Sequence, residues 1–216
     1  MSKLKCLLVV CSVSFMAVAA EKPLYENNFE KGEAGKLPED FMVIGGEFTV
    51  VADGTNKVLE LPGAPLDSFG LQFGPTESAE VAVSARILGT TKGRRAPTFG
   101  VGLGGVGGFK LQMSPGKKAL ELLKDQEVKA SVEFDWKSGT WTQFRLQVRK
   151  LKEGEWKVDG KTWPQDSAEP KEWSISFVEK EEPVAGKASV LGSPFAGTPI
   201  WFDDLAVQKL AGAGEK

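Results

Sequence analysis

The chain has 216 residues, with 27 basic residues against 29 acidic ones and a formal net charge of −2. It contains no histidine, and its two cysteines are Cys6 and Cys11. These counts exclude a Ser-His-Asp or Cys-His nucleophile and any histidine-held zinc or iron, and a hydrophobic content of 41% excludes general disorder.

Residues 1–5 are basic through Lys3 and Lys5. Residues 6–20 form an uncharged apolar run that closes on Ala17-Val18-Ala19-Ala20. A basic start, an apolar centre and a small-residue end are the pattern of a secretory signal peptide. The run has 15 residues, short of the roughly 20 needed to cross a bilayer. The expected product begins near Glu21 and is exported to the periplasm or the extracellular space. It keeps neither thiol nor imidazole. Loss of Lys3 and Lys5 leaves 25 basic residues against 29 acidic ones, a net charge of −4. That charge offers no electrostatic case for binding nucleic acid. No later segment is apolar enough for a stable membrane span. About 195 residues without a disulfide are enough to be held by a hydrophobic core.

The body of the chain alternates with period two. Val81, Val83, Ala85 and Ile87 share one face, against Ser84 and Arg86. Phe109, Leu111 and Met113 alternate with Lys110 and Gln112. Val128 through Trp136 and Phe144 through Val148 repeat the pattern with charged residues between. Each pattern predicts an antiparallel strand with one buried and one wet face. Further strands are expected near 41–51, 57–61, 69–74, 97–104, 117–123, 155–163, 172–178, 186–191 and 200–207. Glycine and proline punctuate them at Gly45-Gly46, Pro62-Gly63, Ser114-Pro115-Gly116, Glu153-Gly154 and Ser193-Pro194. Leu120, Leu122 and Leu123 leave 117–126 open to a helix, but Pro115-Gly116 suits a hairpin and a strand is expected there. About a dozen short strands without a helix predict an all-β fold, a two-sheet antiparallel sandwich. Residues 21–209 read as one domain and residues 210–216 as a flexible tail.

Three stretches resemble a known superfold. Leu24-Tyr25-Glu26-Asn27-Asn28-Phe29-Glu30, then Gly35, Pro38 and Gly45-Gly46-Glu47-Phe48-Thr49-Val50, are similar to the opening of the concanavalin A-like jelly roll in its laminin-G-like branch. Trp141 through Val148, then Gly160-Lys161-Thr162-Trp163-Pro164 and Trp173, resemble its middle strands. Ile200-Trp201-Phe202-Asp203-Asp204-Leu205-Ala206-Val207 resembles its closing strand. The resemblance spans nearly all of the chain after the leader. It implies a jelly-roll sandwich, a superfold that hosts lectins, glycan-binding modules, adhesion domains and glycosidases.

The same resemblance nominates three sets of residues. Family-16 glycosidases of this fold carry alternating acids on one strand, and Glu133-Phe134-Asp135-Trp136-Lys137 supplies two of the three. Lys137 stands where the acid/base belongs, so the pair of carboxyl groups that a retaining mechanism needs is incomplete. Glu133 and Asp135 are the nominees if hydrolysis occurs. The resemblance also implies a structural calcium, with Asp203 as ligand and Glu30 as partner; no cofactor is required otherwise. Trp156, Trp163 and Trp173 lie in a proline- and charge-rich stretch, where rings can stack on sugars. Gly102 through Gly107 satisfies a GxGxxG pattern, but a strand follows, so a turn is expected. Lys92, Arg94 and Arg95 read as a solvated loop. The leading expectation is a non-catalytic module that binds extracellular polysaccharide or glycan. The alternatives are a glycoside hydrolase or lyase with unconventional residues, and a structural or adhesive envelope protein.

Overall fold

The computed structural model describes residues 23–211. The expected leader and cleavage site, and both cysteines, lie outside the described residues. The chain forms β1 (Tyr25–Asn27), β2 (Met42–Gly45), β3 (Thr49–Asp53), β4 (Asn56–Leu61), β5 (Phe69–Glu77), β6 (Val81–Leu88), β7 (Thr98–Leu103) and β8 (Phe109–Ser114). It continues with β9 (Ala119–Lys124), β10 (Glu127–Glu133), β11 (Thr142–Lys152), β12 (Glu155–Pro164), β13 (Ile175–Glu179), β14 (Gly186–Ser193) and β15 (Ile200–Lys209).

One sheet runs β13-β12-β11-β6-β15-β4-β3, with β1 also paired to β15; the other runs β10-β9-β8-β7-β14-β5-β2. Every strand pair is antiparallel. The chain passes between sheets at β1 to β2, β2 to β3, β4 to β5, β5 to β6, β6 to β7, β10 to β11, β13 to β14 and β14 to β15. These crossings stack the two sheets, and the period-two alternation then decides which residues meet between them. Ile87, Phe99, Leu111, Phe144 and Phe202 are each 0% exposed in that core. The fold is the all-β sandwich that the alternation predicts.

Local departures from the expected elements have local causes. The segment 41–51 is two strands, because Gly46 has φ +93 and an added Cβ would lie 2.9 Å from the Phe69 side chain. Only glycine takes that backbone and that space at little cost. The strand at 117–123 is preceded by a 3-10 turn, Pro115–Lys117, and Lys118 takes a left-handed φ of 50. Strand β10 ends at Glu133 rather than continuing to Trp136. Trp136 instead packs edge-on against Phe99, at a centroid distance of 5.4 Å. Leu210 does not belong to a loose tail: it is buried, and its N–H donates to Glu80 O at 2.8 Å.

Candidate functional site

The sandwich has two outward faces with different chemistry. On the first sheet, register sets Arg86 beside Asp203, Arg145 beside Lys161, and Gln147 beside Asp159. Strand β15 carries a bulge between Asp203 and Ala206, with Asp204 at φ 49. The extra residue lets Asp203 face outward to Arg86 while Leu205 and Val207 return to the core. The Asp203 carboxylate accepts from the Arg86 guanidinium, from Asn56 Nδ2 at 2.9 Å and from the Asp204 N–H at 2.7 Å. Arg86 also lies over the Trp141 ring at 4.9 Å.

Two like charges directly opposite on neighbouring strands repel. Glu169, in the connection after β12, resolves the Arg145–Lys161 pair, at 3.9 Å from Arg145 Nε and 2.8 Å from Lys161 Nζ. Lys161 further donates to Pro170 O at 2.7 Å and sits over the Trp173 ring at 4.5 Å. The connection 164–174 is therefore strapped across this sheet by one buried lysine.

The second sheet presents a different surface. Phe99, Val101 and Leu103 of β7 point inward, which leaves Gly100 and Gly102 on the outer face. Gly70 of β5 stands two strands away, opposite Leu191 of β14. Gly70, Gly105 and Gly192 bring bare backbone to a groove of about 200 Å³ on this face. Gln72, Lys110, Gln112 and Ser189 supply its polar groups, and Ile44 and Val106 supply an apolar rim. Ser68 and Ser193 share a hydroxyl hydrogen bond of 2.7 Å at one end. Beside the groove, Gln112 donates to Ser114, and Ser114 donates to Glu121 at 2.6 Å. Burial alone would raise the Glu121 carboxyl, but hydrogen bonds from Ser114 and Lys117 outweigh it and hold the group below its usual range. Burial of Lys110 lowers its ammonium below the ordinary lysine value, and Asp125 only partly offsets the effect. Among the described residues no aspartate or glutamate lines the groove.

The residues singled out from sequence are dispersed. Trp156 is 7% exposed and belongs to the core, so it presents no ring to a ligand. Its place on the inward side of β12 follows from the same alternation that buries Val158. Trp163 and Trp173 are half-buried on the first sheet and flank Lys161, away from the groove. Glu133 and Asp135 are exposed at the end of β10, an edge strand, and Asp135 borders a separate cavity with Arg94 and Ser138. Asp203 and Glu30 do not fit a calcium ion. A guanidinium already occupies Asp203, and Glu30 accepts the Lys57 N–H at 2.9 Å. Among the described residues no three acidic or sulfur side chains converge as a metal would need. The groove residues were visible in the sequence only as wet strand positions.

No protein-family model matches the chain, and no curated protein is similar to it at a significant level. Solved structures are similar in fold. A carbohydrate-binding module from Bacillus subtilis aligns with a TM-score of 0.55 at 9% identity, over 78% of this chain and 95% of that one. A protein of unknown function with a galectin-like fold, also from Bacillus subtilis, aligns at 0.55 with 13% identity, over 87% and 96%. A beta-1,3-glucanase from Mycobacterium marinum aligns at 0.52 with 14% identity, over 86% and 98%. The chain shares with these structures a two-sheet antiparallel jelly-roll sandwich. Its fold neighbours include both binding modules and hydrolases.

Proposed function

We propose that the protein is an exported, non-catalytic glycan-binding module that holds a saccharide chain in the groove of the second sheet. The observation that carries this reading is the lining of the groove. It combines amides and hydroxyls, which both donate and accept hydrogen bonds, with bare backbone and an apolar rim. A sugar ring presents the same mixture, hydroxyls at its edge and C–H groups on its faces. Hydrolysis by paired carboxylates requires two acids flanking the bond, and none lines this groove among the described residues. The similarity in fold to a carbohydrate-binding module supports the same reading. The apolar run at 6–20 supports export, and among the described residues no helix is long and apolar enough to cross a membrane.

Gly70→Val tests the site. A Cβ at Gly70 meets nothing closer than Val190 O at 3.8 Å, so the substitution fits the fold while filling the groove. A panel of polysaccharides assayed by affinity electrophoresis should find a ligand for the parent chain. Gly70→Val should weaken that binding at least about tenfold with an unchanged circular dichroism spectrum. Binding untouched by Gly70→Val would move the site elsewhere, and no retention by any saccharide would overturn the reading.

A further inference from the structure

Lys110 is the one groove residue that neutral sugar recognition does not need. An ammonium donates only, whereas Gln72, Gln112 and Ser189 already offer donors and acceptors. Its position is costly, because β7 places a glycine opposite it and β9 places Leu123 on its other side. Neither neighbour can solvate a charge.

The chain treats comparable lysines differently. Lys124 is 17% exposed and is held by Glu179 at 2.8 Å and Glu181 at 2.7 Å. Lys161 is 7% exposed and is held by Glu169 at 2.8 Å. Lys157 meets Asp159 at 2.9 Å. Among the described residues Lys110 pairs with no carboxylate. Its charge-assisted partner is thus left to be supplied from outside, and that partner must be an anion. No acid lines the groove itself; nearby, Glu121 is held by Ser114 and Lys117, and Asp125 acts on the Lys110 charge without forming an ion pair with it.

We propose that the groove selects an acidic saccharide chain, one whose carboxylate or sulfate pairs with the Lys110 ammonium while Gln72, Gln112 and Ser189 take its hydroxyls. This inference rests on the glycan-binding reading and adds the charge class of the ligand to it. The test uses the full chain and two matched pairs of probes: polygalacturonate against its methyl ester, and dextran sulfate against dextran. Titration calorimetry at low salt should show at least one acidic member bound roughly tenfold tighter than its neutral counterpart. The pair that shows the preference identifies carboxylate or sulfate as the anion. Lys110→Met and Lys110→Gln should erase the preference while unfolding stays cooperative and no less stable than the parent, and Lys110→Arg should restore most of it. Equal binding of acidic and neutral members, or a preference that survives both Lys110 substitutions, overturns the anion assignment and leaves the groove reading standing. Loss of binding to all four probes and to every other saccharide overturns both together.

Discussion

Lys110 carries a penalty whenever both folded and unfolded chains are protonated. Burial lowers its value below the ordinary 10.5, with Asp125 opposing the shift only in part. Between the lowered value and the ordinary one, the unfolded chain holds a proton that the folded chain has released. Stability attributable to this residue therefore rises with pH through that window. At pH 7 the penalty is fully present but is screened by solvent at this half-exposed side chain, so Lys110→Met should stabilise the protein only slightly, by at most about 0.5 kcal/mol. Urea unfolding of parent and variant at pH 7 and at pH near 10.5 checks this: the gap should narrow at the higher pH. A gap that widens with pH would mean that Lys110 gains an internal partner on folding. A residue that costs stability in the empty protein and lies in the groove fits a ligand contact better than a packing role.

At the scale of the element, the strands were legible because almost every one has a dry face and a wet face. Alternation finds such strands directly, and β4, β6, β8, β12 and β15 fall where it predicts. What alternation cannot find is an end that depends on contacts from elsewhere. Strand β10 keeps its pattern through Trp136 in sequence, yet it stops at Glu133, where the chain turns Trp136 onto Phe99. The bulge in β15 was hidden for the same reason. Asp203 was singled out by resemblance as a metal ligand, but the bulge aims it at Arg86, a residue distant in sequence. Removing Asp203 leaves Arg86 with Asp204 alone, at 2.9 Å, and frees the Asn56 amide. Asp203→Ala should cost about 1–3 kcal/mol, a drop in melting midpoint of roughly 2–12 °C. Calorimetry of the parent chain with calcium and with a chelator should give equal midpoints, because the guanidinium already fills the cation's place. A midpoint raised by calcium would show that Arg86 gives way to the metal.

At the scale of the molecule, the two sheets divide the work. The first sheet is covered on its outside by charge pairs, by the Trp141 ring and by the strap that Lys161 anchors. The second carries on its outside a groove where the backbone of Gly70, Gly105 and Gly192 is bare. This division was not legible in the sequence, because the groove joins β2, β5, β8 and β14, whose pairing depends on register across long loops. The tryptophans drew attention to the first sheet, where their proline- and charge-rich context marks a strap that needs anchors and where Trp163 and Trp173 pack against the Lys161 cation. If the division is correct, the two faces respond separately to mutation. Trp173→Ala removes the ring under Lys161 and loosens residues 164–174, so stability should fall by about 1–3 kcal/mol. Saccharide binding should stay within about twofold of the parent, since sites on opposite sheets without shared partners act additively. Gly70→Val should give the reverse pair of results. Thermal unfolding and calorimetric titration of the two variants and the double variant complete the cycle. Near-additive effects on both readouts place recognition on the second sheet, whereas a large binding loss from Trp173→Ala would return it to the strapped face.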